Sequence, residues 1–241
     1  MNTKQSPFSR QVKAISSWQL VPLSLRLAIK NYEQITFLFF LPALIMVLGL
    51  FYLGNYTINL HNILNPTLNL KQSIGAGLVI LWLILSILNF PPAIYFRLHA
   101  SSDDKSPSIM TCYREGFKHF FKVWLCEIIS IVLITIGFIA FIVPGVLIFP
   151  RLILSPYYAV DNQKLNIKEI LSKTSKQSSR FIYPIYGTYG IIILLSFVTQ
   201  IILGTYAISE ILIVLISYTV LFMPALRYIE ISKFYSKKAK N

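Results

Sequence analysis

The sequence predicts an all-α integral membrane protein whose helices cross the bilayer six times as three hairpins, with both termini in the cytoplasm. First, 55% of the 241 residues are hydrophobic and only 13% are charged, whereas soluble domains carry about 25% charged residues. Second, apolar runs of about 20 residues recur along the chain, the length that an α-helix needs to cross a hydrocarbon core of roughly 30 Å. Third, the positive charges cluster in alternate connections between these runs, which is typical of a multi-pass protein.

Five apolar runs each predict one membrane-spanning helix. They cover residues 35–54, 74–96, 123–142, 183–203 and 208–228. Each is about 20 residues long or longer, so each can cross the hydrocarbon core as a helix. The first run follows a long polar and basic stretch and has no small-residue cleavage site after it, so it predicts a retained span and not a secretory signal peptide.

The segment at residues 143–160 is harder to assign. It contains Pro144, Pro150 and Pro156, and Arg151 lies near its middle. A central arginine opposes insertion by about 2.5–3.5 kcal/mol, while each strongly apolar residue favours insertion by only about 0.5 kcal/mol. Hydropathy alone therefore leaves this segment between a full span and a re-entrant segment.

The distribution of positive charge favours a full span at residues 143–160. Clusters of five Lys and Arg residues precede the first run, follow the second, lie between residues 161 and 182, and occupy the C-terminal end from Arg227 onward. The loop at residues 55–73 has Lys71 alone, and the link at residues 204–207 has no Lys or Arg. If residues 143–160 cross the membrane, every cluster lies on the cytoplasmic side, as the positive-inside rule requires.

The chain then divides into three parts. Residues 1–33 form a cytoplasmic lead, residues 34–230 the six-span domain, and residues 231–241 a basic cytoplasmic tail. In the lead, Trp18 and several leucines alternate with basic residues, which predicts either an interfacial helix interrupted by Pro22 or a flexible segment. A short outer turn is expected at Pro144-Gly145, and four tyrosines are expected in the interfacial aromatic belt: Tyr157, Tyr158, Tyr183 and Tyr186.

Charged residues inside predicted spans are the candidates for a functional site, because a buried charge in a bilayer is costly. Arg151 follows Pro150, which removes a backbone hydrogen bond and kinks the helix. Arg151 could bind an anionic substrate or lipid phosphate in a cavity, or it could reach the headgroups or cap the broken helix. Glu127 is a candidate partner, but it lies about 12 Å deeper towards the cytoplasm, so a direct pair needs a tilted helix.

No motif for catalysis, a metal or a cofactor is present in the sequence. GxSxG, HExxH, a Walker loop and a dinucleotide fingerprint are all missing. Cys112 and Cys126 are too far apart for a CxxC pair and are expected to be free thiols. The net charge of +13 would suggest nucleic acid for a soluble protein. Here it predicts contact with anionic lipid headgroups and no binding of nucleic acid.

Part of the chain, roughly residues 110–195, resembles uncharacterised bacterial inner-membrane proteins of the YciC type and the membrane domain attached to some glycerophosphodiester phosphodiesterases. The shared features are an Ile-Pro-Gly turn, here Val143-Pro144-Gly145, then an Arg-containing segment, an acidic residue at Asp161, and an Ala-Leu-x-x-Ser helix, here Ile170-Leu171-Ser172-Lys173-Thr174. The resemblance implies a bacterial cytoplasmic membrane location and a six-helix fold. It implies no phosphodiesterase activity, because the catalytic domain is not part of this sequence.

Two functions remain as hypotheses. The first is a non-enzymatic membrane protein that organises lipid or another membrane complex through its helices and basic inner face. The second is a small transporter or permease component with Arg151 near the substrate path. Partners under either hypothesis are membrane lipids and a membrane protein or a second copy of the chain.

Overall fold

The computed structural model describes residues 14–53, 70–102, 106–203 and 220–240, and within these ranges the chain is helical with no β-strand. This confirms the all-α prediction for the described residues. The elements in chain order are α1 (Ser17–Lys30), α2 (Tyr32–Ile35), a π-helical segment (Thr36–Phe40), α3 (Leu41–Leu53), α4 (Leu70–Ser102), α5 (Ile109–Lys118), α6 (Phe120–Ala140), α7 (Ile142–Leu152), α8 (Ser155–Asp161), α9 (Ile167–Ser178), α10 (Ile182–Leu203) and α11 (Met223–Lys240).

Among the described residues, four helical segments are long and apolar enough to cross a membrane: Tyr32–Tyr52, Ser73–Ser102, Phe120–Ala140 and Ile142–Asp161. Helix α9 and the first part of α10 together would form a fifth, but the chain bends by 95° where they join. These helices fit the prediction of a membrane protein with several helical spans. The run at residues 208–228, predicted as the last span, lies mostly outside the described residues.

The described spans pair as hairpins and differ in how much of each is covered by protein. Helix α3 packs along α4, and α6 packs along α7 and α8. Only 11–28% of the first three spans is buried, whereas half of the segment Ile142–Asp161 is buried. Apolar side chains such as Phe51, Ile84 and Ile139 remain exposed, as expected for surfaces that face lipid chains. The proline-containing fourth segment is therefore the central one.

The turn between α6 and α7 lies at Phe141 and not at Pro144-Gly145 as predicted. Phe141 has extended backbone angles, while Pro144 and Gly145 lie within the first turn of α7. Proline is tolerated there because the first N–H groups of a helix have no intrahelical acceptor. Gly145 is required for close packing, since a Cβ at this position would lie 2.5 Å from the Phe138 ring and 2.7 Å from the Phe138 backbone nitrogen.

Helix α4 is longer than the predicted span, which ended at residue 96. It continues through Pro91 and Pro92 to Ser102 and carries Arg97 within the helix, where the sequence placed it in a cytoplasmic loop. Pro91 leaves the Ile87 carbonyl without its usual backbone donor. The indole nitrogen of Trp124 on α6 donates to that carbonyl at 3.1 Å, so the proline does not end the helix.

Helix α1 confirms a helical lead and corrects the predicted interruption at Pro22, which lies inside a continuous helix. One face is buried through residues four apart in sequence, Leu20, Ser24 and Ala28, whereas Trp18 is 60% exposed. The buried face packs against α10 and α11. The lead is thus part of the packed structure.

The main core lies where α4, α6, α8, α9, α10 and α11 meet. Tyr157 and Tyr158, expected in an interfacial belt, lie inside this core with exposed fractions of 3% and 1%. Both rings pack on Tyr228, with centroids 6.0 and 4.7 Å away. Tyr183, by contrast, is 86% exposed. Hydropathy places all three tyrosines near a membrane edge, but the tertiary packing of α8 decides which are covered.

Candidate functional site

The predicted kink in the fourth span is a break between α7 and α8 at residues 153–154. Pro156 is the second residue of α8, and its ring is incompatible with continuing the helix through the preceding turn. All seven residues from 154 to 160 are buried. The C-terminal side of the break is therefore covered by neighbouring helices, while Ile153 on its N-terminal side is half-buried.

Pro150 lies inside α7 and leaves the Val146 carbonyl without its i+4 backbone donor. The hydroxyl of Tyr186 on α10 donates to this carbonyl. A side chain from a neighbouring helix thus supplies the missing donor, as Trp124 does for Ile87 beside Pro91. The carbonyl released by Pro150 is occupied by protein, and Arg151 does not cap it.

Arg151 is half-buried, and its Nε atom is buried without a hydrogen-bond partner. Arg151 and Glu127 form no ion pair, since neither is part of an ion pair found among the described side chains. The six candidate residues therefore divide. Pro144, Gly145, Pro150 and Pro156 shape the hairpin and its break, while Arg151 and Glu127 are separate polar groups.

The relative heights of α6 and α8 explain why Glu127 and Arg151 do not meet. Ser130 Oγ on α6 lies 2.6 Å from Ser155 Oγ on α8, and both hydroxyls contact the Cys126 carbonyl, at 2.7 and 3.3 Å. Glu127 is therefore level with α8. Arg151 precedes Ser155 by four residues, so it lies about 6 Å farther towards the α6–α7 turn.

Glu127 instead lies near a set of polar groups that the sequence did not bring together. The Tyr157 hydroxyl is within electrostatic range of Arg97 and Glu127, and Tyr189 on α10 is within range of the same three residues. We call Arg97, Glu127, Tyr157 and Tyr189 the interior cluster. Arg97 Nε and the Tyr157 hydroxyl are buried and have no partner with hydrogen-bond geometry.

The Arg97 guanidinium also lies over the Phe39 ring, with Cζ 4.8 Å from the ring centroid. The aromatic face offsets part of the cost of holding a cation among apolar side chains. The interior cluster thus draws one residue from each of four helices, α4, α6, α8 and α10. Sequence analysis missed it because Arg97 was read as a loop residue and Tyr157 as an interfacial one.

A second buried arginine, Arg227 on α11, was counted in the sequence only as part of a basic C-terminal cluster. It is 1% exposed. Its guanidinium donates to Thr188 Oγ1, the Ile15 carbonyl and Ser17 Oγ, each at 3.0 Å, and it pairs with Glu230. We call this group the Arg227 clamp. It joins the N-terminal lead to α10 and α11, and its satisfied hydrogen bonds indicate a structural role.

Two adjoining cavities lie between α9 and α11, at the end of the fourth span. The outer one has a volume of about 670 Å³ and the inner one about 220 Å³, and they share Lys173, Gln177 and Tyr235. We call the pair the α9–α11 groove. The outer cavity is also lined by Lys168 and Lys176.

The two thiols and His119 lie in environments that burial dominates. Cys112 and Cys126 are free and buried, as predicted, and burial raises the pKa of the Cys112 thiol to about 12. Burial, together with the charge of Lys122, lowers the pKa of His119. In the described ranges no three His, Cys, Asp or Glu side chains are grouped so that they could hold a metal ion.

No protein-family model, no curated protein and no solved structure matches this chain.

Proposed function

We propose that the chain is a non-enzymatic, six-span protein of the bacterial cytoplasmic membrane that organises anionic lipid or another membrane complex around a basic inner face. Both termini and the segment at residues 161–182 lie in the cytoplasm. The partners are anionic membrane lipids and, within the bilayer, a membrane protein or a second copy of the chain. The location follows from the resemblance to YciC-type inner-membrane proteins.

The hairpin of α6 with α7 and α8 supports the six-span arrangement. The two arms run side by side from a turn at Phe141, and their register is fixed by the Ser130–Ser155 contact. The chain leaves α8 at Asp161 and enters α9, a short helix with charged residues on its exposed face, such as Lys168 and Lys176. The 95° bend into α10 fits a surface helix that precedes the next span.

The observation that carries the choice of function is the closed packing at the break in the fourth span. Residues 154–160 are all buried, and the Val146 carbonyl released by Pro150 is occupied by Tyr186. In transporters, broken helices present free backbone groups to a substrate cavity. A break followed by a fully buried segment, beside a released carbonyl that a side chain holds, supports a structural element in a sealed bundle.

The alternative is a small transporter with Arg151 near its substrate path. One observation favours it: the Nε atoms of Arg151 and Arg97 and the Tyr157 hydroxyl are all buried without a hydrogen-bond partner. Unpartnered donors at membrane depth are costly, and an anionic substrate would satisfy them.

Thiol accessibility separates the two functions. Arg151→Cys is made in a background with Cys112 and Cys126 replaced by Ala, and labelled with a small membrane-impermeant maleimide in cells and in inverted vesicles. Leu147→Cys, one turn earlier and exposed on the same helix, is the matched control for a lipid-facing thiol. A sealed bundle predicts that neither position reacts. Labelling at position 151 but not at position 147 would place Arg151 on an aqueous path and favour transport.

Single cysteines in the same variant, in which Cys112 and Cys126 are replaced by Ala, also report the membrane topology. Asn166→Cys is expected to react only in inverted vesicles, and Thr67→Cys, in the predicted outer loop, only in intact cells. Reaction of position 166 from the outside would refute the six-span arrangement, because residues 161–182 would then be extracytoplasmic.

A further inference from the structure

We propose that the α9–α11 groove is a binding site for one phosphate-bearing headgroup, most directly that of an anionic phospholipid in the inner leaflet. This inference rests on the proposed function, since the groove faces the inner leaflet only if residues 161–182 are cytoplasmic. It adds a defined site to what would otherwise be a diffuse basic surface.

The shape of the groove suits a headgroup. The outer cavity, at about 670 Å³, is within the range of small-molecule sites. The inner cavity, about 220 Å³, extends from it past Lys173 and Tyr235 to Asp161 and the ends of Tyr158 and Tyr228. A ligand can therefore place a compact charged group inside and a larger part outside.

The charges favour an anion. Three lysines line the groove, Lys168, Lys173 and Lys176, against two carboxylates. Both carboxylates already accept a hydrogen bond from another group of the protein. Glu169 accepts the Asn166 backbone N–H at 2.9 Å, and Asp161 accepts the Tyr228 hydroxyl.

Lys173 lies where the two cavities meet and donates to Asn162 Oδ1. An ammonium group has three donors, so Lys173 retains donors for a ligand while Asn162 holds it in place. Lys176 is exposed on the same helix and can move to a ligand in the outer cavity. A fixed ammonium with a mobile one beside it is suited to a phosphate, whose oxygens accept several charge-assisted hydrogen bonds.

The second, independent observation is Tyr158. This residue lines the inner cavity and is 1% exposed. Its hydroxyl interacts with Ser178 Oγ, but neither oxygen has a partner with good hydrogen-bond geometry among the described residues. Buried hydroxyls are normally paired, and a phosphate oxygen in the inner cavity would accept from Tyr158.

The test is native mass spectrometry of the purified full-length protein in detergent, titrated with phosphatidylglycerol and, in parallel, with phosphatidylcholine. Lys173→Gln is expected to weaken binding of the first phosphatidylglycerol about tenfold, the value of one charge-assisted hydrogen bond. Tyr158→Phe and Lys176→Gln are each expected to weaken it about threefold. Lys164→Gln, an exposed lysine outside the groove, is the matched control and should change it less than twofold.

Lys176 is exposed and Tyr158→Phe removes one oxygen atom, so loss of binding in these variants would not reflect misfolding. Equal losses in Lys164→Gln and Lys173→Gln would overturn the site in favour of a diffuse charge effect, as would no loss in any groove variant.

A competition step identifies the source of the phosphate. Displacement of the first phosphatidylglycerol by millimolar inorganic phosphate would show that the groove recognises phosphate on any carrier. Retention, together with the loss in Lys173→Gln, would assign it to lipid.

The proposed function, as distinct from the groove assignment, is refuted if the wild-type protein binds no more phosphatidylglycerol than phosphatidylcholine in total. If total binding favours phosphatidylglycerol but the groove variants match the control, only the groove assignment fails.

Discussion

Replacing Arg227 with methionine is expected to destabilise the protein strongly. The Arg227 guanidinium is 1% exposed and donates to acceptors in the N-terminal lead, α10 and α11: the Ile15 carbonyl, Thr188 Oγ1 and the Glu230 carboxylate, besides Ser17 Oγ. Methionine fills a similar length of the space but donates to none of them. The four acceptors are then left facing each other in a covered position.

The size of the loss follows from the burial. Removing one partner of a buried ion pair costs about 3–5 kcal/mol, because the remaining charge stays uncompensated. The Glu230 side chain is 14% exposed, so water relieves part of this cost, whereas the three other acceptors lose charge-assisted bonds that are not additive with it. We therefore expect about 3–5 kcal/mol in total, or a fall in Tm of roughly 10 °C for a chain of this size.

Thermal unfolding in detergent, followed by tryptophan fluorescence, measures the effect. Arg114→Met is the matched control, since Arg114 pairs with Glu115 through a side chain that is 69% exposed and its loss should leave Tm unchanged within error. Adding Glu230→Gln to Arg227→Met should restore part of the lost stability. Equal Tm values for Arg227→Met and Arg114→Met would refute the clamp.

Three further outcomes are expected in the same assay. Gly145→Ala should cost about 1–3 kcal/mol, because its Cβ would overlap Phe138, whereas Gly190→Ala meets nothing within 4 Å and should cost nothing. Trp124→Phe should cost about 1 kcal/mol by leaving the Ile87 carbonyl unpaired, and the cost should vanish in a Pro91→Ala background, where a backbone N–H returns. Burial lowers the folded-state pKa of His119, so as pH falls below about 6.5 this histidine is protonated in the unfolded chain before it is protonated in the folded one. Acidification to pH 5.5 should therefore lower Tm. The fall should be smaller in His119→Gln, which has no imidazole to protonate.

The apolar runs and the pairing of α6 with α7 were predictable because both depend on local properties, namely run length and the charge between runs, although the Pro-Gly pair misplaced the turn by about three residues. The position at which α4 ends was not predictable from such local properties. Arg97 reads as the first residue of a loop after the predicted span at residues 74–96, whereas the helix continues to Ser102. Trp124, 37 residues away in sequence from Ile87, supplies the donor that Pro91 removes. Sequence periodicity contains no information about a donor on another helix.

The candidate residues show the same division. Pro150 was predicted to kink the fourth span, but it lies inside α7 and the break follows it, just before Pro156. The polar partners were not predictable: Arg151 was the natural focus because it interrupts an apolar run, whereas Arg97 and Arg227 lie near run ends, where basic residues usually remain in water. Tertiary packing buries Arg227, in part through α1, and covers the Nε atom of the half-buried Arg97.

The two proline-released carbonyls have a consequence for the order of assembly. In each case the side chain that replaces the missing donor comes later in the sequence than the proline: Trp124 follows Pro91, and Tyr186 follows Pro150. A nascent chain therefore carries an unsatisfied carbonyl in α4 until α6 is made, and another in α7 until α10 is made. Each of these proline-containing helices depends on a segment that leaves the ribosome later, so a chain truncated after α8 would keep the Ile87 carbonyl paired and leave the Val146 carbonyl unpaired.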